Sequence, residues 1–276
     1  MIYFPNCKIN IGLNVVQKRD DGFHNIETLL YPIDVEDILE IRPNGKEETT
    51  LTLTGLPIKS HSSSDNLCIK AYNILKKDFP ELPNVDIHLH KIIPMEAGLG
   101  GGSSDAAFTL QLLNYVFELN LSLVQLDKYA QKLGSDCAFF IYNIPAYAYE
   151  KGNRLAPTTL SLRGKSILLI KPDISISTAQ AYQGVVAKES EYDLLNIVES
   201  RPIVQWRHLI KNDFEENIFK NHPELKEIKD KLYEIGALYS QMSGSGSCIY
   251  GIFDKDLSED EINLFKYPFV CHKTLK

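Results

Sequence analysis

The sequence lacks any run of about 20 apolar residues, so no segment predicts a membrane-spanning helix. It also lacks an excess of basic residues, because 29 lysines and arginines stand against 36 aspartates and glutamates, a net charge of −7. A general nucleic-acid-binding protein usually presents a basic face, so that class of protein is disfavoured. A phosphate-bearing small molecule stays compatible with this charge, since a few local donors suffice to bind it.

Paired cysteine motifs are missing as well. The five cysteines are odd in number, and no two of them have CxxC spacing. A disulfide framework or a structural zinc site is therefore not expected, and a reducing cytoplasm is the predicted location. The first residues, MIYFPNCKINIGLNVV, have no basic region and alternate like a strand, so no signal peptide is expected.

Internal repeats and low-complexity linkers are also absent, and 276 residues suffice for one large domain or two ordinary ones. Apolar patterns with periods of two and of 3.6 residues alternate along the chain and predict an α+β protein. Strands are predicted at residues 8–16, 37–43, 49–55, 84–93 and 166–172, and a mixture of loop and strands at 134–152. A turn into an extended segment is predicted in DDGFHNIETL, and a Gly-Ser turn into a strand in MSGSGSCIYGIF. Helices are predicted from Asp65 as N-cap, from about Ser103, and at residues 123–133, 178–187, 205–211, 223–235 and 258–265.

Glycine is concentrated at one place, in the stretch PMEAGLGGGSSDAA, residues 94–107, where four of the five positions from Gly98 to Gly102 are glycine. Glycine loses more conformational freedom on folding than any other residue, so such a cluster indicates a close backbone approach or positive φ. The apolar pattern of a helix follows at once. Backbone N–H groups of the loop and of the helix N-terminus would bind a phosphate, and Ser103 and Ser104 would offer hydroxyls to the phosphate or its Mg²⁺.

Two well-known phosphate loops do not fit this stretch. The pattern GxxxxGK(S/T) is absent because no lysine follows the glycines, and GxGxxG placed at Gly98 finds Ser103 where the third glycine belongs. A flexible surface turn is the simpler alternative. Four glycines directly before a long apolar helix speak against it.

The glycine-rich stretch resembles the ATP-binding motif of the GHMP kinases, the small-molecule kinases that include galactokinase, homoserine kinase and mevalonate kinase. Glu96 departs from the motif, since it stands where a small residue is common. The resemblance assigns to ATP the residues Pro94, Met95, Glu96, Ala97, Gly98, Leu99, Gly100, Gly101, Gly102, Ser103 and Ser104.

Two further segments extend this resemblance on the ATP side. The segment DNLCIKA implies that Asn66 lies by the adenine, and Lys91 would flank the same pocket unless it is an ordinary surface lysine. The segment MSGSGS, residues 242–247, is similar to the family's third motif, whose Gly244 and Gly246 would let the turn pack against the phosphate loop.

The segment NCKINIGLNVVQKRDDGFHNIETLL resembles the branch of this family whose substrate is an alcohol carrying a cytidine diphosphate group. The resemblance implies that Phe23 stacks on the cytosine, that His24 hydrogen-bonds its edge and that Asn10 contacts the diol or diphosphate. In ISISTAQAY, Thr178 would lie near the reacting alcohol and Tyr182 would close the other side of the base. The alternatives are a core phenylalanine, a helix N-cap at residue 177 or 178, and a half-buried tyrosine.

The segment KLGSDCAFFI resembles the family's L-G-x-D-x-P-F-F, with Asp136 in place of the catalytic aspartate and Ala138 in place of the proline. Asp136 would accept the proton of the attacking hydroxyl as general base. Lys8 would orient that hydroxyl or the aspartate and neutralise charge on the transferred phosphoryl group. Taken alone, Asp136 also fits a turn residue or a helix cap, and Lys8 fits a solvated strand residue.

The resemblance touches residues 5 to 253 and implies two α+β domains. Residues 1–155 would form an ATP-binding domain like ribosomal protein S5 domain 2, and residues 156–276 a ferredoxin-like domain. The implied reaction moves the γ-phosphate of ATP, supplied as MgATP, to the 2-hydroxyl of a 2-C-methyl-D-erythritol that carries cytidine diphosphate, in the non-mevalonate route to isoprenoids. Neither nucleic acid nor membrane is an expected partner, and a monomer or weak homodimer is expected.

Three other functions remain open from the sequence. A homoserine or mevalonate kinase shares the implied fold, but DGFHNIETL argues against it. A non-catalytic nucleotide sensor would not need both Lys8 and Asp136, and a Rossmann oxidoreductase is a remote third. His88 and His90 share one strand face as a metal pair would, but no third ligand has suitable spacing, so no metal site is expected.

Overall fold

The computed structural model describes residues 1–57 and 63–276. The backbone forms two compact units that interleave along the chain. The first unit contains Met1–Cys7, Val35–Met95 and Gly100–Ile144, and the second contains Lys8–Asp34, Glu96–Leu99 and Pro145–Lys276. The division into domains 1–155 and 156–276 remains a prediction from the sequence.

The secondary-structure elements of the described residues are numbered in chain order. The strands are β1 (Ile2–Tyr3), β2 (Asn6–Lys18), β3 (His24–Glu36), β4 (Ile38–Pro43), β5 (Thr50–Gly55), β6 (Val85–Lys91), β7 (Ala146–Tyr149), β8 (Arg154–Pro157), β9 (Ser166–Lys171), β10 (Tyr239–Met242), β11 (Ile249–Phe253) and β12 (Phe269–Thr274). The helices are α1 (Leu67–Asp78), α2 (Gly101–Val116), α3 (Leu123–Leu133), α4 (Cys137–Tyr142), α5 (Thr178–Tyr182), α6 (Leu194–Ser200), α7 (Ile203–Leu209), α8 (Asp213–Asn221), α9 (Pro223–Glu234) and α10 (Glu259–Ile262).

The first unit contains a four-stranded sheet in the order β1-β4-β6-β5, in which β5 and β6 run parallel and the other pairs are antiparallel. Strand β6 shows why this sheet forms, because Val85, Ile87 and Leu89 are buried while the residues between them are partly exposed. That alternation places every second side chain on the core face of the sheet. Helices α1 to α4 pack on one another in the same unit, and α2 also contacts β4.

The second unit contains two sheets, in the orders β2-β3-β7-β8 and β10-β11-β9-β12. All six residues of β9 are buried, as expected for the strand between two partners. Strand β2 enters the same core as helices α8 and α9. The buried residues that join them are Leu13, Val15, Leu168, Ile170, Phe214, Ile218, Leu225, Ile228 and Leu232.

The α+β class and most long elements agree with the sequence predictions, but several details are wrong. Helix α1 is capped by Asn66, whose side chain accepts from the Cys68 N–H, and not by Asp65. The segment predicted as loop and strands contains α4, and helices α5 and α10 are shorter than predicted. Helices α6 and α8 and strands β8, β10 and β12 were not predicted, nor was β1 as a strand separate from β2.

Among residues 1–57 and 63–276, none of the helices has both the length and the apolarity that crossing a bilayer requires.

Candidate active site

The glycine loop leads directly into α2. Gly98 and Gly100 have φ of +72° and +71°, in the left-handed region that glycine adopts without a steric penalty. Gly100 is the N-cap of α2, and no side chain caps the free N–H groups of its first turn. An uncapped N-terminus of a 16-residue helix offers backbone donors and a positive dipole end, as an anion-binding site requires.

The Gly-Ser turn at residues 243–247 packs against this loop within the second unit. The hydroxyl of Ser243 donates to the carbonyl of Gly98 at 2.8 Å, and the Ser247 N–H donates to the carbonyl of Glu96 at 3.2 Å. A Cβ at Gly98 would lie 1.8 Å from the Ser243 carbonyl oxygen, and one at Gly244 would lie 3.0 Å from the side-chain oxygen of Asn10. The expected packing of the turn against the glycine loop is therefore confirmed, and phosphate binding by that loop remains a prediction.

Gly98→Ala is expected to destabilise the protein by roughly 2–5 kcal/mol, because left-handed backbone costs about 1–2 kcal/mol and overpacking about 1–3 kcal/mol. Gly164→Ala is the matched control, since Gly164 has φ +80° but no atom lies within 4 Å of the position that a Cβ would occupy there. The control should lose only the backbone contribution. Urea unfolding of both variants measures the difference, and equal losses would contradict the steric account.

Lys8 and Asn10 lie side by side on β2, and both are buried. The Lys8 ammonium donates to the side-chain oxygen of Asn10 at 2.5 Å and to the Gly98 carbonyl at 2.9 Å. Lys8 is 3% exposed, which excludes the alternative of a solvated strand residue. The structure thus brings three of the predicted site residues together at the start of the glycine loop.

The residues predicted to bind the cytidine group lie in the second unit. Phe23 is exposed, with the Lys151 ammonium 4.9 Å from its ring centre. His24 stacks on Tyr182 with ring centres 4.6 Å apart, and the edge of Phe214 contacts Tyr182. The structure therefore places His24, and not Phe23, against Tyr182. A cytosine between Phe23 and Tyr182 remains a prediction.

Thr178 is the exposed first residue of α5. The N-cap is Ser177, whose hydroxyl accepts from the Gln180 N–H while the Gln180 side chain reaches back to the Ser177 backbone. The capping alternative therefore applies to Ser177 and leaves the Thr178 hydroxyl for another contact.

Asp136 directly precedes α4, and its side chain makes no capping hydrogen bond. Asp136 therefore occupies the N-cap position of α4 without capping it through its side chain, and the alternative of a turn residue stays open. The neighbouring Cys137 thiol is held by burial at a raised pKa of about 12 and lies within hydrogen-bond reach of Ser103 in the first turn of α2. Asp136 is thus one residue from a contact with the glycine-loop helix. Its pairing with Lys8 remains a prediction, since the two residues belong to different units.

Lys91 does not lie on the surface, because its side chain is fully buried between two carboxylates. Its ammonium donates to Asp37 and, at 2.7 Å, to Asp105 of α2. The other oxygen of Asp37 accepts the N–H of Ile93 at 2.9 Å. A Cβ at Gly101 would lie 3.2 Å from the Lys91 side-chain nitrogen, so the ammonium packs closely against the first residue of α2.

The pKa of Asp105 is raised to about 7, chiefly because burial disfavours the charged form; Lys91 opposes this rise and Asp37 adds to it. From about pH 4 to pH 7 the folded state keeps a proton that the unfolded carboxyl, with a pKa near 3.9, has lost. The contribution of Asp105 to the free energy of unfolding therefore falls as pH rises through this window, by up to about 1.4 kcal/mol per pH unit.

Asp105→Asn removes this titration. We expect the stability of the variant relative to the wild type to increase between pH 4.5 and 7.5, and the increase to be measurable by urea unfolding at both pH values. A difference that does not change with pH would show that Asp105 does not titrate in this range.

The side-chain oxygen of Asn66 accepts the Cys68 N–H at 2.9 Å, and its NH₂ group would remain for an adenine contact. His88 and His90 both lie 2.9 Å from the Thr54 hydroxyl. In the described part of the chain, no group of three or more His, Cys, Asp and Glu side chains is arranged to hold a metal ion.

The sequence reasoning missed the polar residues that support the site. Asp37 and Asp105 hold Lys91, Ser243 holds Gly98, and the buried Thr28 contacts Asn10. A signal was available for Thr28, because it directly precedes the apolar pair Leu29 and Leu30 on β3, and a hydroxyl buried beside such residues usually needs a partner.

Comparisons with known proteins agree with this geometry. A family model described as the GHMP kinases N terminal domain matches residues 66–143, and one described as GHMP kinases C terminal matches residues 196–263. A 4-diphosphocytidyl-2-C-methyl-D-erythritol kinase from Bacteroides thetaiotaomicron is 50% identical over 258 residues, 93% of each chain. One from Parabacteroides distasonis is 47% identical over 98% of each chain.

A solved structure supports the same relationship. The crystal structure of a 4-(cytidine 5'-diphospho)-2C-methyl-D-erythritol kinase matches with a TM-score of 0.76 at 29% identity, covering 96% of this chain and 93% of that one. The GHMP kinase fold predicted from the sequence is confirmed. The chain belongs to the GHMP kinases, and within them to the family of 4-diphosphocytidyl-2-C-methyl-D-erythritol kinases.

Proposed function

We propose that the protein transfers the γ-phosphate of ATP to the 2-hydroxyl of 4-diphosphocytidyl-2-C-methyl-D-erythritol, in the non-mevalonate route to isoprenoid precursors. The observation that carries this proposal is the placement of the Lys8 ammonium, 2.9 Å from the carbonyl of Gly98, the first glycine of the loop. The relatives named for the same reaction cover more than nine-tenths of the chain.

The chemistry of phosphoryl transfer suits this set of residues. Such reactions depend mainly on positioning and on stabilising charge, so few reactive side chains are needed. The N-terminus of α2 and the loop N–H groups would hold the phosphates of ATP. Lys8 would stabilise negative charge on the transferred group, and Asp136 would accept the proton of the attacking hydroxyl.

Mg²⁺ belongs to this proposal as part of MgATP, where it neutralises phosphate charge. The hydroxyls available in the first turn of α2 are Ser103 and Ser104, and the buried Ser104 hydroxyl has no hydrogen-bond partner among residues 1–57 and 63–276. That unpaired oxygen is compatible with a ligand that arrives with its own donors or charge.

The acceptor would bind in the second unit, which contains the residues predicted to bind it. Among them are the exposed ring of Phe23 and the stacked pair of His24 and Tyr182. Base–aromatic stacking contributes about 1–3 kcal/mol per base, enough to select a cytidyl substrate over a bare alcohol. All five cysteines are free thiols, which supports a reducing cytoplasm as the location. A monomer or weak homodimer remains part of the proposal.

The test is an ADP-release assay with MgATP and three alcohols offered separately: the cytidyl diphosphate substrate, homoserine and mevalonate. We expect turnover with the first and turnover at least about 100-fold lower in kcat/KM with the others, because they lack the base. Turnover of homoserine or mevalonate without turnover of the cytidyl substrate would overturn the assignment. ATP binding without turnover of any alcohol would instead indicate a nucleotide sensor.

A further inference from the structure

Thr28 on β3 is buried in the second unit, and its hydroxyl is committed in two directions. The hydroxyl donates to the Gly12 carbonyl at 2.6 Å and accepts from the side-chain NH₂ of Asn10 at 3.0 Å. A threonine hydroxyl has a single proton. Because that proton goes to the Gly12 carbonyl, only the oxygen lone pairs of Thr28 face Asn10.

This polarity decides which way the amide of Asn10 points. A group that can only accept must meet the NH₂ end of the amide, so the oxygen end of Asn10 is directed at Lys8. The Lys8 ammonium, which can only donate, then finds an acceptor in Asn10 at 2.5 Å. With the amide rotated by half a turn, two donors would face each other and Lys8 would lose this partner.

The backbone of Asn10 is held by other contacts, so rotation of its side-chain amide is the motion that Thr28 restricts. The Asn10 backbone is held at both ends, since its N–H donates to the Ser243 hydroxyl at 3.1 Å and its carbonyl accepts from the Tyr250 hydroxyl at 2.9 Å. The Gly12 carbonyl is fixed as well. Gly12 has φ +66°, and a Cβ there would lie 2.8 Å from Ile210 and Leu194, so this backbone is tightly packed.

We infer that Thr28 is a positioning residue of the kinase reaction, which fixes the amide of Asn10 and thereby places the Lys8 ammonium at the Gly98 carbonyl. The inference rests on the proposed function, because that proposal gives Lys8 its part in phosphoryl transfer. Thr28 itself touches neither ATP nor the acceptor in this account.

The experiment compares Thr28→Val, which keeps the shape but removes the hydroxyl, with Thr28→Ser, which restores it. Ser166→Ala is the matched control, because it also deletes a buried hydroxyl that donates to a backbone carbonyl, that of Lys255 at 2.6 Å, away from the site. Two quantities are measured for each variant. They are kcat and KM with MgATP and the cytidyl substrate, and the rate at which an amine-acylating reagent modifies Lys8, followed by peptide mass spectrometry.

We expect Thr28→Val to lower kcat on the order of 10- to 100-fold, as small displacements of a catalytic group do, with KM for ATP unchanged. We also expect it to speed the acylation of Lys8. Thr28→Ser should restore both quantities to near the wild-type values. Ser166→Ala should lower the melting temperature without changing kcat or the labelling of Lys8.

Wild-type kcat and labelling in Thr28→Val would overturn the inference, and so would a similar loss of kcat in Ser166→Ala, since general destabilisation would then explain both. A loss of kcat without faster labelling of Lys8 also contradicts it, because the effect would not pass through Lys8. Faster labelling with unchanged kcat would support the placement of Lys8 by Thr28 and would contradict the catalytic role of Lys8 in the proposed function.

Discussion

Asp136→Asn is expected to lower kcat by about 10²- to 10⁴-fold, the usual contribution of a general base. The amide has nearly the shape of the carboxylate but cannot accept the proton of the attacking hydroxyl. Because Asp136 makes no capping hydrogen bond to α4, the substitution should leave the start of that helix intact. Steady-state kinetics with MgATP and the cytidyl substrate measure the loss, and KM for ATP should stay within about twofold of the wild type.

The control for this prediction is Asp260→Asn, which removes a carboxylate on the exposed first turn of α10. That variant should keep the wild-type kcat. Full activity of Asp136→Asn would refute the assigned base, whichever alcohol is the substrate.

Lys91→Met is expected to cost about 3–5 kcal/mol of stability, because removing one partner of a buried ion pair leaves uncompensated charge. The side chains of Lys91, Asp37 and Asp105 are 0%, 0% and 5% exposed. Burial by itself lowers the pKa of Lys91, but Asp105 and Asp37 outweigh it, so the pKa is raised and the residue stays a cation. Without that cation, Asp37 and Asp105 would lose the buried positive partner that both of them share.

Lys46→Met is the matched control, since Lys46 pairs with Asp86 at 3.0 Å but its side chain is 55% exposed. An exposed pair contributes about 0–1 kcal/mol, so this variant should unfold at nearly the wild-type urea concentration. A second variant combines Lys91→Met with Asp105→Asn. It removes one of the two carboxyl groups that have lost their cation, and it should recover part of the lost stability. Equal stability of Lys91→Met and Lys46→Met would contradict the account of the buried triad.

The sequence predicted what depends on local pattern. Period-two alternation located β6, and the glycine cluster followed by an apolar pattern located α2, although the helix begins at Gly101 and not at about Ser103. Lys8 and Asn10 are two residues apart on β2 and so share a strand face, and their hydrogen bond shows that they lie together.

Local sequence patterns do not predict which side chains pair over long distances along the chain. Asp37 and Lys91 are 54 residues apart, and Lys91 and Asp105 are 14 apart, so no periodicity links them. The sequence therefore predicted that Lys91 either flanks the ATP pocket or is a surface lysine, and the structure shows that it is a buried cation. The contact between Ser243 and Gly98 also spans 145 residues, and the resemblance to the family's third motif, rather than any periodicity, predicted that this turn packs on the glycine loop.

Short elements were predicted wrongly for a different reason. The run CAFFIY of α4 is six residues long, and apolar runs of this length fit a buried strand as well as a helix. The N-cap of α1 was assigned to the wrong neighbour, because Asp65 and Asn66 are both good caps and only the local backbone selects Asn66.

The most direct test of the account is phosphorus NMR of the wild-type protein with MgATP and 4-diphosphocytidyl-2-C-methyl-D-erythritol. The account predicts one new phosphomonoester signal on the acceptor for each ADP formed, with the diphosphate signals of the cytidyl group retained. Release of inorganic phosphate without phosphorylation of the acceptor, or no consumption of ATP at all, would contradict it.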